Sequence, residues 1–313
     1  VKDSPVRHRL EQVAFLTVRG LLRALPHEAA RSVGRAIGGL AGRLDQRHRT
    51  IAEKNLALAF PDLPAAEHRR LAGECFRHFG GAVCDAISAD RFRLDQLCER
   101  FSYEGWEHID AAEQTGKGVF ILGSHLGYWE FSARPIGLYR GTIHTIARPT
   151  DNPHLETELK RIRERFGYAV IHKRGAARRM IQLLRARERV GILIDQRVQP
   201  QEAIVVPFFG HPALTSPVVA RLSLRTGAPV LPIFAFAEPH GRYRFVAREP
   251  IFPEGEGDEG VENLTRRYLA TTEREIREHP AEWLWMHDRW RMPKDGLPTT
   301  ATPLLTEVSE NPE

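Results

Sequence analysis

From residue 106 onward, short apolar runs alternate with amphipathic segments, and this alternation limits the fold more than any other feature of the chain. The runs are Val119–Leu122, Thr142–Ala147, Tyr168–Ile171, Val190–Ile194, Ile204–Phe208, Val230–Phe236 and Tyr243–Val246. Helical patterns at 129–138, 153–166, 175–187 and 216–226 separate several of them, and another follows at 261–279. Strands that alternate with helices specify an α/β fold, here with a mixed, largely parallel central sheet flanked by helices. Residues 8–105 have no β-rich run and are rich in Ala, Leu and Arg, so they read as helical. The expected organisation is an N-terminal helical region at 1–105, an α/β core at 106–292 and a flexible tail at 293–313.

The formal net charge is +5. Its distribution is uneven, because residues 1–50 hold ten Lys/Arg against four Asp/Glu. A basic N-terminal segment suits nucleic acid, an anionic membrane face, an anionic lipid, or simply a solvated helical surface. The first helical segment, Leu10–Leu25, has a wide apolar face with arginines beside it, which fits either a lipid interface or packing on the core. A second, near 28–44, carries Gly34, Gly38 and Gly39, which permit close helix approach. No apolar stretch approaches the ~20 residues that a membrane span needs, so membrane contact is expected to be peripheral. Cys75, Cys84 and Cys98 form no CxxC or metal-ligand spacing and read as buried free thiols in a reducing compartment.

The sharpest local feature is Val119-Phe120-Ile121-Leu122-Gly123-Ser124-His125-Leu126-Gly127-Tyr128-Trp129-Glu130. An apolar strand ends in Gly-Ser-His, and a glutamate follows five residues after the histidine at a helix start. Within one helix that spacing would put the two side chains about 140° apart. They meet only if His125 lies in the turn, which Gly123 and Gly127 make possible. Glu130 would then hold one imidazole nitrogen and leave the other as a base. The same spacing also fits a strand-end histidine bonded to backbone beside an unrelated surface glutamate.

This H-x4-E stretch resembles the H-x4-D/E motif of the lysophospholipid acyltransferase superfamily, and most closely its branch of bacterial lipid A late (lauroyl/myristoyl) and mycobacterial phosphatidylinositol mannoside acyltransferases. Further blocks resemble that branch in the same order. They are Asn55-Leu56-Ala57-Leu58-Ala59-Phe60-Pro61, Arg148-Pro149 with Asn152-Pro153, and Asp195-Gln196. Val206-Pro207-Phe208-Phe209-Gly210, Thr226-Gly227-Ala228-Pro229, and Trp283-Leu284-Trp285-Met286-His287 with Arg289-Trp290 complete the set. Tyr128 departs from the pattern, since the branch commonly has Asn there.

The resemblance implies an O-acyltransferase that moves a fatty acyl chain from an acyl carrier protein or coenzyme A thioester to a hydroxyl of a glycolipid or phospholipid. It implies His125 as general base on that hydroxyl and Glu130 as the group that orients it and stabilises its imidazolium. Arg148, Arg163, Asp195, Phe208, Phe209 and Gly210 become candidate substrate-binding residues; Asp195, at the end of Val190–Ile194, could bond to His125, an arginine or a substrate hydroxyl, or be an N-cap or structural ion pair. Neighbouring Arg161 and Arg165 leave the register of Arg163 open by two, and Lys173 and Arg174 are weaker candidates for the same crevice. Phe208 and Phe209 either line the site or pack the core, and Trp283, Trp285 and Trp290 suit either a lipid interface or the core. Backbone N–H groups at Gly127 or Gly210 are candidates for holding an oxyanion. The chemistry requires no metal or bound organic cofactor. The implied partners are an anionic membrane surface, a lipid acceptor and the thioester carrier, and no nucleic acid. The implied place is the cytoplasmic face of the inner membrane, peripherally. The competing readings are a nucleic-acid-binding protein and a catalytically inactive membrane-binding relative.

Overall fold

A computed structural model describes residues 5–147, 150–172 and 175–293. Arg148, Lys173, Arg174 and, apart from Pro293, the expected tail at 293–313 lie outside the described residues. Four long helices come first: α1 (Pro5–Ala24), α2 (His27–Leu44), α3 (Gln46–Ala59) and α4 (Ala65–Ala89). Then follow α5 (Leu94–Cys98), β1 (Phe101–Glu104), α6 (Trp106–Glu113), β2 (Val119–Gly123), α7 (Trp129–Ser132) and α8 (Arg134–Tyr139). The chain continues through β3 (Ile143–Ala147), α9 (Pro153–Arg165), β4 (Tyr168–His172), α10 (Ala176–Arg185) and β5 (Arg189–Leu193). It ends with β6 (Ile204–Phe208), β7 (His211–Thr215), α11 (Val218–Thr226), β8 (Val230–Glu238), β9 (Arg242–Ala247) and α12 (Gly257–Glu278).

Seven strands form one sheet in the order β1-β9-β8-β2-β5-β3-β4. Every neighbouring pair is parallel except β8 with β9. The sheet is buried on both faces, as parallel sheets are. Along β2, Phe120 and Leu122 join a core with Met180 and Ile181 of α10 and Leu264 of α12. Val119 and Ile121 join the opposite core with Ile109 of α6, Ile136 of α8 and Phe166.

Three local expectations need correction. Residues 101–104 are not helical but form edge strand β1, paired with β9. The run Ile204–Phe208 is a strand but not part of the sheet, because β6 pairs only with β7 in a separate antiparallel hairpin. Its two turn residues, Phe209 and Gly210, both have positive φ. The helix expected at 129–138 breaks at Ala133, since Pro135 near the start of α8 has no N–H to continue the ladder.

Helices α2 and α4 pack backbone against backbone. A Cβ on Gly34 would lie 2.3 Å from the Gly80 carbonyl oxygen, and one on Gly38 would lie 2.1 Å from that of Phe76. Buried polar groups reinforce the seam. Asp85 of α4 receives Arg31 of α2 at 2.9 Å and the Tyr243 hydroxyl of β9 at 2.7 Å. We expect Gly38→Ala to destabilise the protein by about 1–2 kcal/mol. Helix propensity would recover up to ~1 kcal/mol, but overpacking costs about 1–3. A thermal melt lowered by several degrees is the expected reading, and an unchanged or raised melt would contradict it.

Candidate active site

The parallel register of β2 and β5 builds the site. Gly123 pairs with Leu193. Two residues beyond each strand end, His125 and Asp195 therefore face one another at the carboxyl edge of the sheet, where α/β proteins place their ligands. Asp195 Oδ1 lies 2.9 Å from His125 Nδ1. Asp195 Oδ2 accepts the His125 backbone N–H at 2.7 Å and the Trp283 indole N–H at 2.8 Å. Asp195 is fully buried, whereas the His125 side chain keeps 20% of its surface exposed.

The segment after α12 straps this arrangement in place. Gly127 donates its N–H to the Glu282 carbonyl at 3.0 Å, and Leu284 donates to the His125 carbonyl at 3.0 Å. Gly127 has a positive φ, and a Cβ there would meet the Ala235 carbonyl oxygen at 2.3 Å, so only glycine fits. Several of the sequence blocks converge on the strap. Asn55 donates to the carbonyls of Trp285 and His287, both at 2.8 Å. Buried Arg289 donates to the Leu214 carbonyl and the Thr215 hydroxyl, and the Trp290 indole donates to the Phe208 carbonyl.

The electrostatics follow from the geometry. Burial disfavours the His125 imidazolium, but the charge and hydrogen bond of Asp195, with a further contribution from Glu130, raise its pKa above the ordinary value. Burial likewise opposes the Asp195 carboxylate, yet His125, the Trp283 indole and the His125 amide hold its pKa below the usual range. The result is an imidazole whose Nδ1 is bound to a carboxylate and whose ring opens on a cleft of about 240 Å³. Trp129, Glu130, Thr145, Arg163 and Tyr168 line that cleft. A larger cavity of about 570 Å³ beside Arg248 and Arg274 lies at the opposite end of the strands, because β9 runs antiparallel to β8.

The candidates fare differently. His125 lies in the turn before α7, as its pairing with a carboxylate required. The orienting bond assigned to Glu130 is made by Asp195 instead. Glu130 is exposed on one-turn α7 and lines the cleft, but no hydrogen bond joins it to His125 among the described residues. Arg163 also lines the cleft, and no partner for its guanidinium is found among the described residues. Arg165 is instead tied to the Asp90 and Phe92 carbonyls, and neither it nor Arg161 lines the cleft.

Phe208, Phe209 and Gly210 do not line the cleft. Phe208 packs its ring on Trp283 and Trp290, and Phe209 packs on Phe60 and Trp285. Their influence on the site passes through Trp283, which holds Asp195. Trp283 and Trp285 are core residues, at 1% and 0% exposure. Gly127 offers no N–H to an oxyanion, because Glu282 already takes it. Gly210 is at the hairpin tip, outside the cleft. Tyr128 is buried against His78 and under Arg31, away from His125. The indole of Trp283 is the functional contact that sequence reasoning missed. Its only signal was the strap motif itself, since nothing local links it to residue 195.

A model of the family described as bacterial lipid A biosynthesis acyltransferase matches residues 3–292. The chain belongs to that family. This acyltransferase is 29% identical to the lipid A biosynthesis palmitoleoyltransferase of Escherichia coli (strain K12), over 85% of this chain and 86% of that one. It is 25% identical to the lipid A biosynthesis lauroyltransferase of the same strain, over 89% and 90% of the two chains. It is 26% identical to the phosphatidylinositol mannoside acyltransferase of Mycobacterium tuberculosis (strain ATCC 25618 / H37Rv), over 73% of this chain and 64% of that one. The acyltransferase thus joins a parallel-sheet scaffold to a His–Asp pair at the strand ends, and no metal-holding cluster occurs among the described residues.

Proposed function

We propose that this acyltransferase moves a fatty acyl group from a carrier thioester, on acyl carrier protein or coenzyme A, to a hydroxyl of a glycolipid or phospholipid. The observation that carries this is the His125–Asp195 pair, with the ring opening on a cleft beside Arg163. Asp195 holds the Nδ1 proton and leaves Nε2 to take the proton from the acceptor hydroxyl. That oxygen attacks the thioester carbonyl, the C–S bond breaks, and the imidazolium returns the proton to the thiolate. Asp195 and the charge of Glu130 stabilise the imidazolium while it lasts. Arg163 supplies positive charge to the oxyanion or to the phosphates of the substrates. A glycolipid acceptor fits the family, and its relatives are named for lipid A or a phosphatidylinositol mannoside.

Incubating the protein with an acyl thioester and an extracted lipid panel tests the reading. Mass spectrometry should show an added ester-linked acyl chain. Free fatty acid alone, or an amide-linked product, would replace it with hydrolysis or N-acylation.

We place the reaction at the cytoplasmic face of a membrane, held peripherally by α1 and α2. No described helix is long and apolar enough to cross a bilayer. Yet Val6, Leu10, Val13 and Leu21 of α1, and Ile37, Leu40 and Leu44 of α2, are each more than half exposed. So much exposed apolar surface on two helices is the mark of an interaction face. Arg9, Arg43 and Arg47 are exposed on α1, α2 and the start of α3, and suit an anionic lipid surface. The rest of the basic N-terminus is largely consumed within the fold, as in Arg19 with Asp90 and Arg31 with Asp85. Burying one leucine is worth about 1.5–3 kcal/mol. Leu10→Glu with Leu40→Glu should therefore weaken sedimentation with anionic vesicles by at least ~10-fold. Unaltered sedimentation would remove these helices from the contact.

A further inference from the structure

A second hollow, of about 290 Å³, adjoins the catalytic cleft. Phe15 of α1, Val83, Ala86 and Ile87 of α4, and Leu159 and Ile162 of α9 form its apolar walls. Trp129, Glu130 and Arg163 line both spaces and so mark their junction. One wall residue does not suit a purely apolar ligand. Arg134 is 3% exposed, and its guanidinium is clamped between the rings of Phe131 and Phe166, 4.1 Å and 3.9 Å from their centroids. Nε donates to the Glu130 carbonyl at 2.9 Å, but Nη1 is buried with no hydrogen-bond partner. No carboxylate pairs with Arg134 among the described residues.

Burying an unpaired charge is costly, and the two aromatic faces offset only part of it. An orphaned buried donor of this kind calls for an explanation. Arg163 at the junction likewise has no acidic partner among the described residues. Arg134 and Arg163 thus outnumber Glu130, the one carboxylate among the described residues lining either space, and leave a net positive charge in a mostly apolar groove.

We propose that this groove seats one hydrocarbon chain of a phosphate-bearing acceptor lipid, with the phosphate drawn to Arg163 at the junction and toward Arg134 in the adjoining wall. This rests on the acyl-transfer reading, since it puts the acceptor hydroxyl next to His125 and leaves the rest of the cleft to the thioester. A neutral acyl chain alone would give the buried Arg134 charge nothing to meet.

The test measures binding to the full-length chain without turnover. Lysophosphatidic acid, below its micellar concentration, is compared with the monoacylglycerol of the same chain length. Charge-assisted hydrogen bonds imply at least about tenfold tighter binding of the phosphate-bearing lipid. Arg163→Gln should reduce that preference to under about threefold, by the same reasoning. Val83→Trp, at a half-exposed wall position that need not disturb folding, should weaken both lipids by partly filling the groove. Equal affinity for the two lipids, or unchanged binding by the Val83→Trp protein, would overturn the proposal. In the transfer assay, lysophosphatidic acid should compete with the acceptor and not with the thioester, and competition with the thioester would assign the groove to the donor. Should no transfer occur with any acceptor, the binding comparisons still decide the groove's ligand on their own.

Discussion

Asp195→Asn is expected to lower kcat by about 10²–10⁴-fold, the usual worth of a general base, with the upper end typical of a histidine held in the wrong tautomer. The direction follows from the hydrogen bonds. Two N–H groups, the His125 amide and the Trp283 indole, both claim Oδ2. In the asparagine variant the single amide oxygen must stay there to serve both donors. The amide nitrogen then faces His125 Nδ1 and donates to it, which forces the imidazole proton onto Nε2. The ring keeps its place but loses its basic nitrogen toward the cleft. The pH profile provides an independent reading. Only neutral imidazole acts as a base, so activity rises with pH through the His125 pKa, which stands above its ordinary value largely because of Asp195. Removing that carboxylate's charge lowers the pKa, so the acid limb should move to lower pH while the plateau falls. A variant with near wild-type kcat, or an acid limb moved upward, would refute the assigned role.

His125→Ala should cost at least about 10²-fold in rate, at the lower end of general-base effects, with the protein remaining folded. Folding is expected to survive because Asp195 keeps two of its donors, the residue-125 amide and the Trp283 indole. The residual rate reports what positioning by the cleft and Arg163 achieves without a base. Circular dichroism and the thermal melt separate loss of chemistry from loss of structure. Retention of activity within about tenfold would reject the general-base mechanism.

The architecture was largely legible because strand and helix periodicities are local properties of the chain. What the sequence hid was long-range. β1 was missed inside a helical region because four residues, Phe101–Glu104, are too few to outweigh their surroundings and are stabilised by pairing with β9, far away in the chain. His125 stood out from its strand-end setting. Its partner was misassigned because the spacing to Glu130 is visible in the sequence, whereas the closeness of Asp195 depends on β2 lying beside β5. Once that adjacency is known, two equal steps past the Gly123–Leu193 pair identify Asp195 at once. Phe208 and Phe209 show the opposite limit. They belong to a block typical of the family, yet they reach the site only through Trp283, and packing of that kind has no sequence spacing.

The strap from Glu282 to Trp290 has a consequence for the life of the molecule. It follows every strand of the sheet in sequence, yet it fastens His125, Asp195 and the turn at Gly127. During synthesis every strand of the sheet, and His125 with it, is made while residues 282–290 are still inside the ribosome. A chain cut short before residue 283 would thus contain His125 and Asp195 but lack the indole that holds Asp195 Oδ2 and the amide that holds the His125 carbonyl.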